Sequence, residues 1–122
     1  MIVKRLNLVG FNAKKTSEIK PTKINNEMKI KSIEKADEEV KFQLTFSVVY
    51  EDLANLSLEY EAFCDVENAD QLIKDFKESK NLKSEDFGEL LNIVLKNGML
   101  EAFVLGKELR LYPPFKLPGV KI

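Results

Sequence analysis

The strictest pattern in the chain lies in its middle. From Val40 to Tyr50, Phe42, Leu44, Phe46, Val48 and Tyr50 point one way and Lys41, Gln43, Thr45 and Ser47 the other. A period of two predicts a strand with one buried and one wet face. The next run repeats it, with Leu56, Leu58, Tyr60, Ala62 and Cys64 set against Ser57, Glu59 and Glu61. The short link from Glu51 to Asn55 suits a hairpin loop, so the two runs predict antiparallel neighbours.

Two weaker strands precede them. Ile2 to Phe11 interleaves apolar residues with Lys4, Arg5 and Asn7, and Gly10 ends the run or bulges it. Asn12 to Pro21 is polar and reads as a loop or irregular edge. Ile24 to Ile33 places Ile24, Met28 and Ile30 on one face, and Glu34 to Glu39 reads as a charged turn.

The period then becomes helical. Asn68 with Gln71 three residues later has the spacing of a capping box, and Leu72, Ile73 and Phe76 give a short helix one apolar stripe. Lys80 to Lys83 closes it, and Ser84 caps a longer helix with Glu85 and Asp86 in its first turn. There Phe87, Leu90, Leu91, Val94, Gly98, Ala102 and Leu105 share the core stripe. Met99, Leu100, Phe103 and Val104 lie largely opposite, joined by Ile93. A helix apolar on two sides needs two covers, and one sheet supplies only one. Gly106 is a candidate stop. Four strands followed by two helices predict an α+β fold: a four-stranded antiparallel sheet with two helices packed on one face.

Composition narrows the function. At 122 residues, 44% apolar and 32% charged, the chain reads as one globular domain spanning 1–122. Its 19 basic and 20 acidic residues give a formal charge of −1, which makes no electrostatic case for nucleic acid. Cys64 is the lone cysteine, and no run approaches the ~20 apolar residues of a membrane span. A soluble, cytoplasmic protein without membrane insertion is expected. Histidine is absent, which removes Ser-His-Asp and Cys-His catalysis and the commonest metal ligand.

Other chemistry does not assemble. Glu59 and Glu61 share a strand's wet face, where alternation already explains them. The acids and glycines lack calcium-loop spacing, and the five glycines form no phosphate loop. Cys64 sits inward and reads as a small core residue. No catalytic residues, metal or cofactor are expected, and the protein reads as a non-enzyme.

The strands Val40–Val48 and Leu56–Phe63, and the long helix running into Leu111-Tyr112-Pro113-Pro114-Phe115-Lys116-Leu117-Pro118-Gly119-Val120, resemble the SecB-like export chaperones. The order of elements and the proline-containing apolar tail carry the resemblance, which covers most of the chain and extends to the archaeal-type and toxin–antitoxin-associated members. Two features depart from the better-studied pattern. Asp65 to Asp70 enters a helix directly where a glycine-containing crossover is usual, and almost nothing follows Val120. Both favour a general holdase over docking to an export motor.

The resemblance implies an ATP-independent chaperone, with a place in protein export as one use, that takes unfolded polypeptides into apolar surface grooves. Aromatic side chains suit that task. The candidates for peptide binding are Phe42, Phe46, Tyr50, Tyr60, Phe103, Tyr112 and Phe115. An alternating aromatic strand ordinarily supplies core, so Phe42 and Phe46 carry both readings. Pro113 and Pro114 equally suit a strap packed over the helix. The family forms dimers and tetramers, and a homo-oligomer interface is expected at Val3, Leu6, Leu8, Ile93, Leu100 and Val104. The alternative is a non-enzymatic adaptor or structural subunit that binds one folded partner.

Overall fold

The computed structural model describes residues 1–16, 23–79 and 84–111. Strands β1 (Ile2–Lys15), β2 (Ile24–Ala36), β3 (Glu39–Tyr50) and β4 (Ala54–Asp65) precede helices α1 (Ala69–Ser79) and α2 (Ser84–Gly106). A single 3-10 turn, Lys107–Leu109, follows. β2, β3 and β4 form a meander, and β1 returns to lie beside β4, giving the antiparallel order β1-β4-β3-β2. The alternation of β3 and β4 is kept residue for residue: Phe42 lies opposite Ala62, Leu44 opposite Tyr60 and Phe46 opposite Leu58.

The apolar rows of β3 and β4 form the floor of the core and α2 its roof. Phe87, Leu90, Val94 and Ala102 are buried against the sheet. Burying each large side chain contributes about 2–3 kcal/mol. Phe87 meets Phe42 edge to face, with ring centres 5.8 Å apart at 74°. Gly98 sets the helix height: a Cβ there would lie 2.6 Å from the Phe46 ring. α2 packs against β1, β3 and β4, and α1 against β2. Arg110 takes a left-handed φ of 56° and turns the chain back, so that the Leu111 amide donates to the Gly106 carbonyl at 3.0 Å. Leu111 closes that end of the core.

Several expectations need correction. Asn12 to Lys15 is strand, not loop, because these residues pair with Ser57 to Ala54 and the ladder outweighs their polarity. β2 likewise continues to Ala36, which confines the turn to Asp37 and Glu38. Asn68 takes a left-handed φ of 55°, which asparagine tolerates, and the Gln71 amide donates to Asp75 Oδ1 at 2.8 Å. The capping-box geometry read from their spacing is therefore not what starts α1. Pro21, Lys80 to Lys83 and the tail beyond Leu111 lie outside the described residues, as do the side chains of Ser84, Glu85 and Asp86.

The face of the sheet away from the helices is polar and internally paired. Lys31 reaches across β3 to Glu59 at 2.7 Å, and Lys41 lies between Glu61 at 3.7 Å and Glu34 at 3.8 Å. Arg5 meets Glu39 at 3.2 Å and stacks over Phe63 at 4.4 Å. Glu59 and Glu61 thus lie on the wet face, each with a basic neighbour.

Candidate functional site

Where the aromatic candidates fall decides which surface can act. Phe42, Phe46, Tyr50 and Tyr60 are 0–2% exposed, sealed between the sheet and α2. This corrects their reading as groove residues: the face that alternation turns inward is covered by α2, so they offer a partner no surface. Phe103 is half-buried on α2. Tyr112 and Phe115 lie outside the described residues.

The six residues expected at an interface gather on one side of the molecule, and β1 brings half of them there by an irregular route. Strict alternation would split Val3, Leu6, Leu8 and Phe11 between two faces. Register shifts between Val3 and Arg5 and between Leu8 and Gly10 insert Lys4 and Val9 as bulge residues. Each bulge restores the same face. Val3 then lies opposite Cys64, Leu6 opposite Ala62, Leu8 opposite Tyr60, Phe11 opposite Leu58 and Ala13 opposite Leu56. All five partners belong to the buried row, so β1 turns its apolar side chains toward the helix layer. At the second bulge, a Cβ on Gly10 would lie 3.2 Å from the Glu59 carboxylate and 3.4 Å from the Glu59 Cβ.

α2 supplies the other wall. Met99 Sδ accepts from Asn26 of β2 at 3.8 Å, which fixes one flank of the helix over β2. Ile93, Leu100 and Val104 lie on the flank away from Met99. On the β1 side, Lys15 Nζ donates to the Leu109 carbonyl at 3.0 Å. Leu100 and Val104 are 61% and 62% exposed. Leu8 and Phe11 on β1 are also exposed, while Val3, Leu6 and Ile93 are half-buried. The result is an apolar strip that runs along β1 and up the flank of α2. It is bounded by a strand edge that no described residue pairs. Such an edge is a row of unmet hydrogen-bonding groups ready for an extended chain. Phe11 belongs to this strip though it was not among the sequence candidates; the signal for it was Gly10, which marks the bulge.

Polar groups beneath the strip are buried in the helix–sheet seam. The Tyr60 hydroxyl and Glu101 Oε2 are both buried, and neither has a partner with hydrogen-bonding geometry. Burial first, and the Glu101 charge second, hold the Tyr60 phenol well above its ordinary range. Burial raises Tyr50 to about 12. It raises Cys64 to about 11, with the Glu89 charge acting the same way. Cys64 is thus an inert thiol of the core, as its inward position implies.

No protein-family model and no curated protein matches this sequence. The fold does have a solved counterpart. The SecB-like chaperone Rv1957 of Mycobacterium tuberculosis, in complex with a ChAD peptide from the HigA1 antitoxin, superposes with a TM-score of 0.56 at 12% identity. The match covers 98% of this chain and 90% of the other. The four-stranded antiparallel sheet followed by two helices is the SecB-like fold. Among the described residues no helix is long and apolar enough to cross a membrane.

Proposed function

We propose that this chain, on its SecB-like fold, is an ATP-independent chaperone that holds extended or unfolded polypeptide segments. The observation that carries the reading is the exposed strip of Leu8, Phe11, Leu100 and Val104 beside the edge of β1 that no described residue pairs. Exposed apolar residues gathered on one surface mark interaction sites in soluble proteins. A strand edge adds hydrogen bonds that do not depend on client sequence, which is the requirement of a holdase. A chaperone of the same fold is solved with a peptide bound. The reading is non-enzymatic, and export is one pathway it would serve.

The same strip supports a second reading as a contact between copies of this chain, since edge strands pair readily. One experiment separates the readings. Wild type and Leu100→Glu/Val104→Glu are compared for suppression of client aggregation at equimolar subunits and for mass by light scattering. The proposal expects wild type to suppress aggregation of several unfolded clients, and the variant to lose that with its unfolding midpoint unchanged. A wild type that ignores every unfolded client overturns the chaperone. A variant that drops to half the wild-type mass makes the strip a subunit interface. Capture of one folded protein alone would favour the adaptor.

A further inference from the structure

The glycine that seats α2 on the sheet is preceded by an asparagine, Asn97. That dipeptide has chemistry of its own. The glycine nitrogen loses its proton and attacks the asparagine Cγ, ammonia leaves, and a succinimide ring closes. Water then opens the ring at either carbonyl, giving aspartate or isoaspartate. Glycine is the most reactive successor because it carries no Cβ to hinder the attacking nitrogen. Asparagine counts among the thermolabile residues of proteins. Two conditions must be met: the Gly98 amide must be free of its hydrogen bond, and the Asn97 Cγ must swing forward onto it.

The folded chain meets neither. Both residues lie inside α2, which continues to Gly106, so fraying at the helix end does not reach them. The helical ladder commits the Gly98 N–H to the Val94 carbonyl. Helical side chains lean toward the N-terminus. Asn97 does so, and its Nδ2 donates to the Ile93 carbonyl at 2.8 Å. Its Cγ is thereby held back from the Gly98 nitrogen. Asn97 is exposed, so water reaches it. Gly98 is buried, seated where a Cβ would lie 2.6 Å from the Phe46 ring. Unwinding this turn therefore means lifting Gly98 off Phe46.

We infer that Asn97-Gly98 is a deamidation site kept closed by the seating of Gly98 on Phe46, and that it reacts when α2 lifts from the sheet. The reaction is one-way. Isoaspartate routes the backbone through the side-chain carbon and lengthens it by one atom, so α2 cannot close again with Gly98 over Phe46. The lesion falls between Ile93 and Leu100, on the flank that forms one wall of the strip. The site does not depend on the holdase reading.

The full chain is incubated at mildly alkaline pH across a guanidinium series. Conversion of Asn97 is followed by peptide mass spectrometry, with isoaspartate and aspartate separated by chromatography. In the unfolded chain Asn97 is expected to convert well ahead of Asn92, which precedes the β-branched Ile93 on the same helix. In the native chain its rate should be at least about a hundredfold lower, because core elements open rarely. That native rate should climb with denaturant below the midpoint, since lifting exposes buried surface. Gly88→Ala strengthens α2 away from the site, where a Cβ meets open space. It should slow the native reaction by up to about fivefold and leave the unfolded rate unchanged. A native rate equal to the unfolded one overturns the inference. So does a native rate indifferent to both denaturant and Gly88→Ala, which would place the reaction in a helix that stays seated. Equal conversion of Asn97 and Asn92 in the unfolded chain removes the site itself.

Discussion

At the scale of single residues, two glycines on one helix have opposite meanings. Gly98 faces Phe46 so closely that a methyl group cannot fit without moving the ring or the helix. Gly98→Ala gains about 1 kcal/mol of helix propensity. It loses about 1–3 kcal/mol to overpacking. A net loss of up to about 2 kcal/mol is expected in urea unfolding. Gly88 has open space where its Cβ would be. Gly88→Ala should therefore stabilise by up to about 1 kcal/mol. If both changes act alike, α2 does not sit at the height that Phe46 implies. The buried thiol and phenol give a second test. Cys64 is raised from an ordinary 9.0 to about 11 and Tyr50 from 10.0 to about 12. The unfolded chain releases these protons first, so their stabilisation is whole below about pH 9 and is lost as pH climbs through 12. Urea midpoints measured from pH 8 upward should fall along that window. Cys64→Ala should flatten the lower part of the slope and Tyr50→Phe the upper part.

At the scale of elements, the turn between β2 and β3 is the tightest link. Ala36 pairs with Glu39, leaving a loop of Asp37 and Glu38 with Asp37 at a φ of 60°. Glycine takes that conformation without steric cost and is favoured at the first position of such a hairpin. Asp37→Gly should raise the unfolding free energy by about 0.5 kcal/mol, seen as a higher urea midpoint with an unchanged slope. A loss would mean that the Asp37 side chain holds the turn. The elements themselves were legible where one rule dominates. β3 and β4 follow strict alternation because one face is buried along their whole length. The stripe of α2 was legible at Phe87, Leu90, Val94, Gly98 and Ala102, all of which face the sheet. β1 was legible only in part. Its end from Asn12 to Lys15 is polar and becomes strand through pairing with β4, a partner distant in sequence. Its bulges are also a property of the pair, visible beforehand only as a glycine. Asn68 had a cap's composition, but the chain turns left-handed there.

At the scale of the whole molecule, the candidate site was legible as a surplus and not as a place. The second apolar side of α2 was plain, and Leu100 and Val104 are indeed exposed. The aromatic rows drew attention for their size, yet a sheet with one covered face puts its largest residues under the cover. What alternation could not say is that β1 lies beside β4, which sets Leu8 and Phe11 on the same side of the fold as the outer flank of α2. The strip is therefore assembled from residues about ninety positions apart and exists only in the folded chain. If one client lies across both walls, damage to one wall should alter the cost of damage to the other. Phe11→Ser and Leu100→Ser remove exposed side chains, so each should change stability by no more than about 0.5 kcal/mol. Each should weaken binding of an unfolded client on its own. In the double-mutant cycle the two losses should be non-additive by at least about 0.5 kcal/mol, because the second truncation acts on a client already detached from its other wall. Phe11 paired with Leu95, which lies on a different flank of α2, is the control and should add. Additivity in both cycles would mean that β1 and α2 act on the client as independent surfaces.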